Sequence, residues 1–528
     1  MTRRAVGALT MSLALAACGS TVQVRSSGLQ GGDGLTPGGG DQGLGGTSSS
    51  TGSATTGGTS AGGATSGGGT GLGGGASSGT SGSLSGSSAG GTGTVASDPL
   101  PSAASTGLGV TAKTISVGIG YASDADAANA AIGAAGFTTG DEKANSQALI
   151  DEVNAHGGIA GRKLVPVFYA YHVTSASPGS SQDQAACQHW TVDNKVIAVF
   201  SSSLTDTLVA CLKQHGVVYF KGGQIVDSDA TYLRQYSNEL LTSTMTQDRI
   251  FSDQVKALVR QKWFGGWNTL NGTPATAKAK VGVITYDTDS FDRTLHKVLL
   301  PALAAAGHAP ANDDVIQVHK VQQQADAAQT SAQIKSAVLK LQSDRVTHIV
   351  LGDASGFILE IFGSNARSQG YYPRLGVTSG AAPQAIYDNG LASSQQLNGL
   401  AGNGWLPTID IPATDANRYA STETKRCLEI MKRRTGQTYA NSNEATIALG
   451  DCDGMFLFQK GMAAAPSLSP AGLLAGLAKL GSSYVSPVVG PTFLSASQHD
   501  DAVRAWDMNW VPSCTCIRYT AQRNVPPA

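Results

Sequence analysis

The residues of this chain best placed for chemistry sit directly after short apolar runs. Tyr121 and Ser123 follow TISVGIG, Ser201, Ser202 and Ser203 follow VIAVF, and Lys221, Gly222 and Gly223 follow VVYF. Further along, Tyr286 ends VGVITY and is trailed by Asp287, Asp289 and Phe291. Asp353 follows HIVL, and Ser379 follows Leu375–Thr378. In open α/β sheets ligands bind beyond the carboxyl ends of the strands, so these positions are the candidate site. The chemistry they offer is reversible binding of a small polar molecule. Hydroxyls and free backbone N–H groups at Ser202 and Ser203 can hold a carboxylate where a helix begins. Gly222 and Gly223 admit close approach to the backbone. Each residue also has a plainer role open to it: Ser201–Ser203, Asp287 and Asp353 can cap the following helix, Tyr121 can pack between lobes, and Trp405 can cover the core.

Bond-making chemistry would need an activated nucleophile, an acid–base pair or a metal. The pattern G-x-S-x-G occurs at Gly86–Gly90, but inside a Gly/Ser-rich run with no strand before it or helix after it. The folded part holds no H-E-x-x-H and no P-loop, and its histidines are scattered. No enzyme activity, cofactor or metal is expected.

The elements that must position the candidates alternate in type. Apolar runs at Thr114–Ile119, Leu164–Tyr171, Val196–Phe200 and Val217–Phe220 read as buried strands. Amphipathic segments at 140–156, 182–193 and 205–215 read as the helices between them. Continuous apolar strands separated by helices indicate parallel β-α units with helices on both faces. The rhythm restarts after Met245, with strands at Val281–Tyr286, Val315–Val318, His348–Leu351 and Leu375–Thr378. From Val110 onward there are roughly 420 residues, more than one hydrophobic core usually holds. The expected fold is therefore α/β, with two doubly wound parallel-sheet lobes and a cleft between them.

The first residues carry an address. Arg3 and Arg4 precede an apolar run, Ala5–Leu15, and then Leu-Ala-Ala before Cys18. That is the layout of a secretory signal, and the run is too short for a permanent span. The cysteine after Leu-Ala-Ala resembles the lipobox of bacterial lipoproteins. It implies a signal peptide over 1–17, a lipid on Cys18 and an extracytoplasmic, membrane-anchored protein. Residues 18–107 are almost wholly Gly, Ser, Thr and Ala. They cannot bury enough apolar surface to order themselves, and read as a disordered tether of about 50 Å r.m.s. span. The formal net charge is −1, with no basic stripe, which argues against nucleic acid. Setting Cys18 aside leaves Cys187, Cys211, Cys427, Cys452, Cys514 and Cys516. An even number in an exported chain suggests disulfides, with fifteen pairings possible. Cys187 and Cys211 fall on successive helices, as do Cys427 and Cys452, so those pairs are expected. Cys514 and Cys516 would close a very small ring or stay reduced.

Several stretches together resemble the type I periplasmic substrate-binding proteins, the group containing the leucine/isoleucine/valine-binding proteins. They are TISVGIG, NAHGGIAGRKL (Asn154–Leu164), DNKVIAVFSSS, KVGVITYDTDSF and GPTFLSASQHDDAVRAWDMNWV (Gly490–Val511). The resemblance covers nearly all of 110–520. It implies a chain that crosses between lobes three times, here near Met245, Ser379 and Gly490. One lobe is then 108–245 plus 380–490, and the other 246–379 plus 491–528. It also implies hinge closure on a ligand and delivery to an ABC transporter permease by a monomer. In amino-acid-binding members the post-strand segments of the first lobe hold the α-carboxylate, while a tyrosine and an acid of the second lobe take the α-amino group. Tyr286 and Asp353 match these last two by position. Lys221 is not part of that pattern, which points to a ligand other than a branched-chain amino acid. A ligand-binding sensor on the same fold is the alternative function, since fold does not dictate it.

Overall fold

Parallel strands need cover on both faces, and this chain supplies it twice. The computed structural model describes residues 107–526 apart from 132, 204, 223–225, 413, 416–417 and 420. The signal stretch 1–17, Cys18, the tether up to Thr106 and Gly223 lie outside the described residues.

The first sheet has five parallel strands: β1 Thr114–Ala122, β2 Lys163–Tyr171, β3 Ala198–Ser201, β4 Val218–Lys221 and β5 Glu239–Leu241, in the order β2-β1-β3-β4-β5. Helix α1 (Glu142–Ala155) connects β1 to β2; α2 (Gly179–Gln188) and α3 (Asp206–Gln214) flank β3. The stretch Asn154–Leu164 is a tied turn. The Asn154 amide donates to the Leu164 carbonyl (2.9 Å) and accepts the Leu164 N–H (2.7 Å). Gly158 has φ +74°, and a Cβ there would strike the Arg162 carbonyl, so the turn requires glycine.

The second sheet holds β6 Val281–Tyr286, β7 Val315–Val318, β8 His348–Gly352, β9 Arg374–Thr378, β10 Ala401–Gly404, β11 Arg504–Val511 and β12 Cys516–Asn524. Its order is β12-β11-β10-β9-β8-β6-β7, parallel through β10 and antiparallel at β11 and β12. Every residue of β6 and β8 is buried, as strands covered on both faces require. Helices α4 (Gln247–Arg260), α5 (Asp326–Ser343) and α6 (Phe357–Ser368) belong to this lobe. Among the described residues no helix is long and apolar enough to cross a membrane.

The chain then leaves the second sheet later than the sequence implied. Strand β10 pairs with β9 (Gly376 opposite Ala401), so 380–410 stays in the second lobe and does not return to the first near Ser379. The strand ahead of Trp405 thus belongs to the second lobe and not to the first, and Ala-Gly-Asn-Gly has no β-branched or aromatic residue that would mark the sheet it joins. Its smallness is a packing demand: a Cβ on Gly402 would run into the Val377 carbonyl, and one on Gly404 into the Tyr519 ring. The chain is back in the first lobe by α7 (Thr422–Thr435), which with α8 (Ser442–Ala464) packs on α1. The ribbon Val485–Ser486 with Gly490–Pro491 still packs beside α7 and α8, so the last crossing falls at 499–503, not at Gly490. The disulfides Cys187–Cys211 and Cys427–Cys452 join α2 to α3 and α7 to α8, as expected, and Cys514–Cys516 closes the turn between β11 and β12.

Two of the crossings run side by side. Leu241 N–H donates to the His499 carbonyl (2.8 Å) and Ala502 N–H to the Thr244 carbonyl (3.1 Å). Arg249 pairs with Asp500 (2.6 Å), both buried, and also donates to the carbonyls of Val525 and Pro526. Beside them lie the fully buried carboxyls of Asp453 and Asp501. Ser243 (2.6 Å) and Tyr484 donate to Asp453, whereas Asp501 Oδ2 has no partner among the described residues. Burial pushes both carboxyls up, and the charge of Asp453 pushes Asp501 further. A carboxyl raised above its unfolded value stabilises the fold at low pH, and that contribution is lost as pH climbs through the folded value. Asp501→Asn mimics the protonated form. It is expected to raise the melting temperature by a few degrees in alkaline buffer and to change it little at acid pH, measured by calorimetry across pH. Equal effects at both ends would remove the ionisation argument.

Candidate functional site

The carboxyl ends of β1, β3 and β4 face those of β6 and β8 across a cleft of about 510 Å³. Tyr121, Ser201, Ser202, Ser203, Gly222 and Tyr286 line it. Its floor is aromatic: Phe200 stacks on Phe220 with centroids 4.9 Å apart, and Phe458 meets both edge-on behind them.

The serine hydroxyls are already committed. Ser202 donates to the Gly222 carbonyl (2.7 Å) and Ser203 to Asp183 (2.6 Å). Asp183 also accepts from Tyr171 (3.0 Å) and Thr205. Burial pushes its carboxyl up while these hydroxyls oppose the push.

Other residues placed in the site by sequence lie elsewhere. Asp353 is buried and caps α6, accepting N–H bonds from Ser355 (3.1 Å), Gly356 (3.1 Å) and Leu359 (2.9 Å) as well as the Tyr286 hydroxyl (3.1 Å). It orients Tyr286 and does not line the cleft. Phe291 is core, packed on Tyr286 and Phe251. Asp287 accepts from the Lys320 N–H (3.2 Å) and faces His319 (3.3 Å) outside the cleft. Ser123 donates to the Tyr171 carbonyl (3.1 Å) at the exposed edge. Ser379 is buried between Asp410 and the Trp405 N–H. Trp405 itself is fully buried and follows β10 of the second lobe.

Lys221 is also turned away from the cleft. Its Nζ meets Asp227 at 2.6 Å, and the other Asp227 oxygen takes Lys320 of the second lobe at 2.8 Å. All three side chains are buried. Burial alone would push the Asp227 carboxyl up, but the two ammonium groups bring it to about 2. A second contact spans the lobes nearby, where Arg293 forks onto Asp229 (2.7 and 2.8 Å).

Sequence reasoning missed the acids that do line the cleft. Glu142 starts α1 and accepts the Ala122 N–H at 3.1 Å. Burial pushes its carboxyl up to about 7, against the Ala122 amide and with help from Asp126 and Asp141. Glu360, in the first turn of α6, is likewise pushed to about 7 by burial and then by Asp353. Asp451, on α8, is pushed well up by burial and then by Glu142. A signal was present for the last: from Ile447 to Phe458 only Asp451 and Asp453 interrupt an apolar helix. Two residues apart, they point about 200° from one another, one to the cleft and one to the hinge.

No protein-family model matches the chain, and no curated protein does. Solved structures do match. A substrate-binding protein of an ABC transporter from Desulfitobacterium hafniense in complex with Leu is 15% identical, aligned over 77% of this chain and 100% of its own, with TM-score 0.51. A solute-binding protein of an ABC transporter from R. palustris in complex with 4-hydroxybenzoate is 15% identical, over 78% and 98%, with TM-score 0.57. A fatty acid ABC transporter substrate-binding protein from Thermomonospora curvata is 17% identical, over 80% and 97%, with TM-score 0.53. At such identities the likeness is one of fold, that of the type I periplasmic binding proteins.

The lysine–aspartate–lysine contact yields a test. Asp227→Asn removes the carboxylate shared by two buried ammonium groups, leaving Lys221 only the more distant Glu239, and is expected to cost about 3 to 5 kcal/mol in denaturant unfolding. Lys320→Met keeps the Lys221–Asp227 pair. It is expected to cost less and to raise the radius of gyration of the free protein in small-angle scattering. An unchanged radius would mean that this contact does not hold the lobes together.

Proposed function

We propose that this chain is the extracytoplasmic, lipid-anchored solute-binding component of an ABC transporter. It captures a small polar ligand, of the amino-acid or amide-like class, between its lobes and presents it to a permease. The observation that carries the proposal is the cleft itself. Its volume lies in the range of small-molecule sites, both lobes supply its walls, and ion contacts already span its rim. The fold-level likeness to solute-binding proteins that hold leucine, 4-hydroxybenzoate or, by name, fatty acids supports the same reading. The lipobox-like Leu-Ala-Ala-Cys18 and the Gly/Ser-rich tether supply the anchor and the reach.

Two outcomes are expected. A ligand present at 100 times its Kd stabilises the folded form by about 2.7 kcal/mol, so a thermal-shift screen of the purified chain against amino acids, amides, aromatic acids and amines gives a rise of a few degrees for one class. Cys18→Ala abolishes incorporation of labelled fatty acid and moves the protein from the membrane to the soluble fraction. Retention in the membrane without Cys18 would refute the lipid anchor.

A further inference from the structure

The carboxyl groups on the cleft wall have no free bases to answer them. Glu142, Asp183, Glu360 and Asp451 all line the cleft. Its basic lining residues among those described are Lys320, which is bound to Asp227 (2.8 Å), and His172, whose Nδ1 meets Ser123 Oγ (3.0 Å). No arginine lines it among the described residues. Lys143, next to Glu142 in sequence, is not a lining residue: its Nζ lies over the rings of Tyr121 (5.8 Å to the centroid) and Phe168 (5.3 Å).

Asp183 is satisfied by its three hydroxyl donors, but the other acids are not. Asp451 Oδ2 is buried, and the one neutral donor beside it is the amide of Asn145, which is also buried. Glu142 accepts a single backbone N–H, through Oε2. Glu360 makes no side-chain hydrogen bond among the described residues, and it stands on the other lobe. The groups facing the Glu142–Asp451 pair offer no cation: they are Asp126 and Asp141 beside Glu142, and Asn145 and Tyr439 beside Asp451. Two desolvated carboxyls side by side on the wall of a water-accessible cleft, with one backbone N–H and one amide between them and no cation, are unfavourable unless something positively charged completes them. The wall also carries neutral polar groups such as Gln182, Gln322 and Asn443, and an apolar set that includes Leu149, Phe200 and Met455.

We propose that the cleft takes an organic cation, an amine whose nitrogen is held by the carboxylates of Glu142 and Asp451 while its apolar body lies against the aromatic wall. The inference rests on the solute-binding reading and narrows it. It also reverses the orientation that the amino-acid-binding proteins imply, because the acids that take the nitrogen belong to the first lobe, where that pattern places the carboxylate. The committed hydroxyls of Ser202 and Ser203 fit this reversal.

Isothermal titration of the full chain with phenethylamine, 2-phenylethanol, phenylacetate and leucine tests it. The amine is expected to bind best. Its affinity should rise about tenfold from pH 6 to pH 8, as the Glu142 carboxyl ionises while the amine stays protonated. Proton release at pH 6 should show as a dependence of the heat on buffer. Asp451→Asn should weaken the amine at least tenfold without lowering the melting temperature of the free protein, since the amide keeps the shape of the protonated acid. Glu142→Gln should flatten the pH dependence. A merely structural role would lower the melting temperature and leave the amine's pH profile intact, which would overturn the proposal. Preference for phenylacetate, leucine or the alcohol over the amine would overturn it while leaving the solute-binding reading standing. Silence of these and of the broader ligand classes would overturn both.

Discussion

The buried ion pair between Arg249 and Asp500 is the contact on which the two-lobed arrangement depends. It ties the first residues of the second lobe to the last crossing, and through the carbonyls of Val525 and Pro526 it ties both to the chain's final strand. Removing one partner from such a pair leaves an uncompensated charge in a low-dielectric site, which is far costlier than the pair's own net contribution. The two sheets are thereby joined at a point where two backbone segments lie parallel and hydrogen-bonded. Everything in the cleft is positioned by where that joint sets the strand ends.

Helix α8 links this joint to the cleft. Asp453 on one of its faces meets Ser243 and Tyr484 at the hinge, and Asp451 on the opposite face meets the cleft beside Glu142. Both acids pay for burial by holding protons more tightly than a solvated carboxyl does. The interlobe contacts of Asp227 with Lys320 and of Asp229 with Arg293 lie on the rim, where a change in lobe angle would break them first. Buried charge thus gathers where the lobes meet, while a second network, Asp253 and Asp507 with Arg260 and Arg523, lies within the second lobe.

Much of the fold was legible in the sequence because parallel strands bury both faces and so appear as unbroken apolar runs, as in VIAVF and VGVITY. The turn at Asn154–Leu164 and the cysteine pairs on successive helices were legible for the same reason: local geometry fixes them. The lobe to which β10 belongs was not, because its small residues are selected by the backbone packed against them. The site was legible only in part. The strand-end rule found Tyr121, the Ser201–Ser203 run, Gly222 and Tyr286, all of which contribute to the cleft wall. It also named Asp353 and Ser379, whose side chains are consumed in holding the strand ends in place. Glu142, Glu360 and Asp451 escaped it because they enter from helices, where an acid reads as a surface residue unless its neighbours are known.

Cys452 stands between Asp451 and Asp453, and its bond to Cys427 fixes more than a distance. A step of one residue turns a helix by about 100°, enough to carry either acid off its face. The disulfide acts as a rotational lock: it sets the azimuth of α8 against α7, and so decides which carboxyl looks into the cleft and which into the hinge. Oxidation of that thiol pair is then a step in assembling the electrostatics of the binding surface, and a reduced chain with the same secondary structure would have no covalent record of which way its acids should point.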